Sequence, residues 1–195
     1  AAGIGFMIMR AKRLREAPSA IEDDFDDLEE DEDVGINVSQ IADNSRISVI
    51  LSYPLITMVE DEVNGLLVRR IATIRKEISK ALGFVIPSVR IKDDLNLEPN
   101  FYQIKIGQRI VAEDKVYPGR LLTIPTGDAT IAIDGEKVVE PTFGLDAYWI
   151  TEEQKTLAEA RGYVVVEPET VLTTQLTKVI ESHAHELIGQ DDIKQ

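Results

Sequence analysis

The chain has no cysteine among its 195 residues, which removes disulfides, thiolate nucleophiles and Cys-ligated metals at a stroke. It fits a reducing compartment. It has two histidines, His183 and His185, and one tryptophan, Trp149. Basic residues are outnumbered, 21 Lys and Arg against 35 Asp and Glu, for a formal net charge of -14. Sequence-independent phosphate binding needs clustered cations that release counterions, so nucleic acid is excluded as a partner class. Long apolar runs are missing too: residues 1–9 (AAGIGFMIM) fall short of the roughly 20 needed to span a bilayer.

Signatures of catalysis are equally absent. There is no Walker A sequence, no G-x-G-x-x-G after a strand and no G-x-S-x-G elbow. His183 and His185 lie two apart on an expected helix, where they face different directions and cannot act as a pair; surface histidines are the expectation, with no zinc spacing around them. The acidic pairs Asp93-Asp94 and Glu113-Asp114 carry no spacing information from which glycosidase chemistry would follow. The expectation is a protein without catalytic residues, metal or cofactor.

What is present is a folded-protein composition, 44% apolar and 29% charged, with unusual N-terminal charge order. After the apolar residues 1–9 come Arg10, Lys12, Arg13 and Arg15. An apolar stretch ending in a basic cluster is how a transmembrane helix leaves on the cytoplasmic side, whereas a secretory signal puts its basic residues first. The competing reading is a free terminus. Residues 22–33 (EDDFDDLEEDED) hold ten acids in twelve positions, a density that repels itself and is expected to be a disordered linker; the run lacks the ligand alternation and central glycine of an EF-hand.

From Arg46 the pattern alternates between β-rich runs and amphipathic helices. Residues 47–51 and 55–59 read as strand, interrupted by Tyr53-Pro54. Between 65 and 82, Leu67, Ile71, Ile74, Ile78 and Leu82 make one helix face, with Gly83 as the stop. The cations of that helix, Arg69, Arg70, Arg75, Lys76 and Lys80, read as a solvated surface. Short strands are expected at 88–92, 102–106, 109–112, 121–124 and 130–133, the last turning through Asp134-Gly135 into a hairpin with 137–139. Thr151 to Gln154 (TEEQ) reads as a capping box that opens a helix running to Arg161 and stopped by Gly162. A strand at 163–166 follows. Pro168 then opens a helix whose Leu172, Leu176, Val179, Ile180, Ala184 and Leu187 share a face.

The segment 140–150 (EPTFGLDAYWI) concentrates Phe143, Tyr148 and Trp149 beside Pro141 and Gly144. Trp149 reads as core. Phe143, on a turn after a proline, reads as an exposed apolar contact of the kind that carries binding energy.

The runs PGRLL at 118–122, GEKVVEPTFGLDAYWI at 135–150 and GYVVVEPETVLTT at 162–174 resemble the FHIPEP family of flagellar and type III secretion export-gate proteins. Supporting stretches are IRKEI at 74–78, LGFVIP at 82–87 and RIKDDLNL at 90–97; the match covers roughly 46 to 190 and leans to the flagellar branch. The resemblance implies a mixed α+β and α/β fold: residues 1–9 ending a transmembrane helix, a flexible linker at 10–45, a first cytoplasmic subdomain at 46–118 and 168–187, a smaller β-rich second subdomain inserted at 119–167, and the start of a truncated third at 188–195. It implies a bacterial inner-membrane protein with this region on the cytoplasmic side. It implies a homo-oligomeric ring for the full-length protein, with this fragment monomeric.

The implied partners are export chaperones with bound cargo, the export ATPase complex and other export-gate subunits, with no cofactor. The implied docking dimple places Glu140, Phe143 and Thr174 in the partner-binding site, Phe143 giving apolar contact and the other two orienting the partner. The alternative is a structural membrane tether with no chaperone site. Three positions depart from the family pattern: Ser52 stands where a glycine is usual, Gln175 where a histidine is, and Gln190 where an arginine is.

Overall fold

The computed structural model describes residues 46–60, 65–127, 129 and 131–188. The expected membrane exit and acidic linker lie outside these residues. The described part is an α+β arrangement of two four-stranded sheets with helices.

The first sheet has the order β2-β1-β3-β4, built from β1 (Ile47–Leu51), β2 (Val89–Asp93), β3 (Phe101–Ile106) and β4 (Arg109–Lys115). β1 is buried along its whole length, as an apolar central strand must be when both its edges are paired. It runs parallel to β2, with Ile47 opposite Val89, and antiparallel to β3, with Ile47 opposite Ile106. The parallel pairing requires a crossover, supplied by a 3-10 turn (Tyr53–Met58) and α1 (Leu66–Leu82).

In α1 the stripe works as the spacing predicts: Leu67, Ile71 and Ile78 are buried, each contributing about 1.5–3 kcal/mol. Leu82, at the end of the stripe, is exposed instead. Gly83 stops the helix at φ 78°, its N–H donating to the Ser79 carbonyl at 3.0 Å.

Of residues 55–59, expected as strand, 55–58 belong to the 3-10 turn and Val59 follows it as the cap. Pro54 sits in its first turn, where no N–H is needed, and Leu55 and Met58, three apart, are the buried pair, matching a three-residue period.

The second sheet has the order β6-β7-β5-β8 and is wholly antiparallel: β5 (Arg120–Pro125), β6 (Glu136–Val139), β7 (Asp146–Thr151) and β8 (Tyr163–Val166). Here the 130–133 expectation fails. Residues 131–133 form no strand, and β6 pairs with β7, not with the segment before Gly135. Gly135 has a different reason to be glycine: a Cβ there would lie 2.8 Å from the Trp149 carbonyl oxygen and 3.1 Å from Ile150 Cγ2. It permits the close approach of the chain to β7.

The capping box forms. The Thr151 N–H donates to Gln154 Oε1 at 3.0 Å, opening a 3-10 turn (Glu152–Gln154) that continues into α2 (Lys155–Ala160). α3 (Pro168–Ser182) buries Leu172, Leu176, Val179 and Ile180 and packs against α1. The last helical stretch breaks at His183, so α4 (Ala184–Ile188) is separate; Leu187 is buried while Ala184 is only half-buried. His183 is half-buried with Nδ1 2.8 Å from the Val179 carbonyl oxygen, and His185 is exposed.

One apolar cluster joins β1, β3, α1 and α3 to Leu122 of β5 and to Ala147 and Trp149 of β7. A smaller one gathers Leu121, Ile133, Ile150, Ala158 and Tyr163. Trp149 is core, its ring edge-on to Tyr117 with centroids 5.3 Å apart.

Candidate functional site

The turn joining β6 to β7 is organised by one buried carboxylate. Glu140 is 4% exposed, and its two oxygens accept the N–H groups of Thr142 and Phe143, each at 2.8 Å. The Glu140 N–H donates to the Leu145 carbonyl at 2.7 Å, and the Gly144 N–H to the Glu140 carbonyl at 2.9 Å, with Gly144 at φ 70° where a side chain would be strained. Charge-assisted bonds of this kind are among the stronger ones. Their result is a fixed tip on which Phe143 stands 65% exposed, with Val139 and Leu145 exposed beside it. Lys137 and Asp146 pair at 3.2 Å just below the turn, a surface contact of little energetic weight.

Glu140 also lines a cleft of about 230 Å³ with Asp114, Tyr117, Glu136, Trp149 and Val171. Burial pushes the Asp114 carboxyl up; the Lys115 N–H pulls it down, and the Glu140 charge pushes it up again. Beneath it, burial first and then the charges of Asp114 and Glu140 push the Tyr102 hydroxyl well above its ordinary range. That hydroxyl donates to Gln175. Thr174, next in α3, lines a separate open groove of about 700 Å³ between α1 and α3, and its hydroxyl donates to the Thr170 carbonyl at 2.6 Å.

Glu140 and Phe143 therefore share one turn, while Thr174 lies in a depression whose walls include neither. Sequence reasoning missed Val139 and Leu145, which extend the apolar tip; the signal was their position flanking the same Pro/Gly turn as Phe143. Among the described residues no group of three or more His, Asp and Glu could hold a metal ion, and no helix is long and apolar enough to cross a membrane. Chemically, an exposed aromatic on a rigid turn is equipped for contact, with no nucleophile and base brought together around it.

The profile of the FHIPEP family matches residues 1–195. The chain belongs to the FHIPEP family. Among relatives, it is 36% identical over 167 residues to the flagellar biosynthesis protein FlhA of Treponema pallidum, covering 86% of this chain and 24% of that protein. It is 39% identical over 159 residues to FlhA of Bacillus subtilis, covering 82% and 24%. This FHIPEP chain thus spans about a quarter of the length of those relatives. The Chlamydia pneumoniae CdsV structure shares the fold, with a TM-score of 0.64 at 18% identity over 75% of this chain and 44% of that one.

Proposed function

We propose that this FHIPEP chain is the cytoplasmic docking part of an inner-membrane export-gate subunit in a flagellar or type III protein secretion system, with export chaperones carrying cargo as its partners. The observation that carries the reading is the Phe143 tip: a large aromatic held out to solvent by a buried carboxylate is stabilised for contact, not for folding. Such an arrangement lowers the ordering cost of association, because the turn is fixed before the partner arrives. Kinship with flagellar biosynthesis proteins supports the export setting.

Phe143 supplies the apolar contact. Glu140 orients the partner indirectly, through the turn it builds, and Thr174 marks the α1/α3 side of the platform. The two sheets correspond to a first subdomain at 46–118 and 168–187 and an inserted second at 119–167. Ring assembly and contact with the export ATPase belong to the full-length protein.

The test is titration of the chain with flagellar export chaperones, each with and without cargo, followed by calorimetry. Saturable binding that Phe143→Ala weakens while thermal unfolding is unchanged is the expected result. Equal affinity of the Phe143→Ala variant removes the tip from the contact, and no binding by any chaperone to this chain or to one extended through the remaining length favours a structural tether.

A further inference from the structure

The outward face of α1 is at odds with the rest of the molecule. The helix carries five cations and a single carboxylate, Glu77, in a chain whose net charge is -14. Two of those cations are engaged: Arg70 bonds Thr170 and pairs with Glu167, and the Arg75 Nε donates to the Ile86 carbonyl at 2.7 Å. Arg69, Lys76 and Lys80 make no ion pair among the described residues, and all three are exposed. They stand at i, i+7 and i+11, so they form one ridge along the helix.

The ridge is flanked on both sides by concave surface. On one side lies the α1/α3 groove, where Leu66 and Ile74 supply apolar area. On the other is a groove of about 510 Å³ whose apolar wall is Ala72, Phe84 and Val85, with Val85 77% exposed. That wall is fixed. The Ile86 N–H donates to Ser79 Oγ at 3.0 Å, Ser79 Oγ donates to the Arg75 carbonyl at 2.6 Å, and Ile86 itself is fully buried. An exposed valine held by an anchored neighbour is a contact surface already in place.

We propose that this face of α1 docks an acidic amphipathic helix of a partner protein. Carboxylates recurring at helical spacing on the partner meet Arg69, Lys76 and Lys80, and apolar side chains beside them enter the grooves flanking the ridge. Exposed cations on one face of an otherwise acidic molecule make a local positive patch, which favours a negative segment there and fixes its register. The surface shares no residue with the Phe143 turn and meets the proposed docking site only at the α1/α3 groove that Thr174 also lines, so the Phe143→Ala variant separates the two readings.

The probe is a synthetic helical peptide of about 20 residues repeating Leu and Glu at heptad spacing, titrated against the 195-residue chain at low and physiological salt. The expected results are saturable binding that weakens with salt, a loss of roughly tenfold or more in Lys76→Glu/Lys80→Glu, a smaller loss in Val85→Ser, and no change in Phe143→Ala. Because Lys76 and Lys80 are exposed and make no ion pair among the described residues, the charge-reversed chain keeps its melting transition. No binding of the peptide, unchanged affinity in the charge-reversed variant, or equal affinity for a scrambled peptide or poly-glutamate overturns the proposal; a loss in Phe143→Ala equal to that in the charge-reversed variant also overturns it.

Discussion

The Tyr102 hydroxyl donates to Gln175 Oε1 at 2.5 Å, joining β3 to α3 across 73 positions of chain with both side chains buried. Removing only one partner leaves a buried polar group unsatisfied. Tyr102→Phe is expected to cost about 1–3 kcal/mol in urea unfolding, as is Gln175→Leu, while the double variant recovers much of that loss because no orphan remains. Additive losses in the double variant would show that the two groups are not coupled.

Glu140→Gln puts an amide where two N–H donors converge, so one of them faces another donor. The amides of Thr142 and Phe143 are expected to exchange with deuterium at least tenfold faster, with a stability loss of about 1–2 kcal/mol. Phe143→Ala, by contrast, is expected to stay within about 0.5 kcal/mol of the parent, since an exposed side chain contributes little to folding. Unchanged exchange at both amides in Glu140→Gln would contradict the turn-building role.

Gly135→Ala places a Cβ against the backbone of β7, where the nearest atom is a carbonyl oxygen that cannot swing away. The expected cost is about 1–3 kcal/mol, read from the urea midpoint, together with weakened protection of the β6 and β7 amides. Alanine tolerated without loss would mean the approach is looser than the geometry indicates.

Asp114 gives a pH prediction. Its folded value is raised, chiefly by burial, so the folded protein holds that proton at a pH where the unfolded chain has released it. Stability from this group is therefore fullest below the ordinary aspartate range and falls as pH rises through the raised value. Asp114→Asn removes the fall. It is expected to be more stable than the parent at neutral pH, by less than about 1 kcal/mol because the carboxyl is only half-buried, and to converge with it in acid. A parent and variant that differ equally at every pH would refute the assignment.

Much of this architecture was legible in the residues. The Leu67–Ile71–Ile78 stripe with Gly83 behind it defines α1, and TEEQ defines the start at Thr151, because both signals are local and satisfy groups within a few residues of themselves. The misreadings have a common source. Residues 55–59 carry strand-forming side chains, and 131–133 precede a D-G pair, but the backbone at each follows distant packing: Leu55 and Met58 against the core, Gly135 against Trp149. At the site, exposure of Phe143 followed from its Pro/Gly surroundings. The burial of Glu140 did not, because nothing in its spacing reveals that both oxygens bond the backbone just ahead.

The packing of α3 against α1 has a consequence for synthesis. The apolar face of α1 is complete at Leu82, yet the helix that covers it ends at Ser182, after the whole second sheet. At about 5–20 residues per second, the ribosome needs on the order of 5–20 s to supply that cover. For that interval the nascent first sheet carries an α1 whose apolar stripe still lacks its α3 partner.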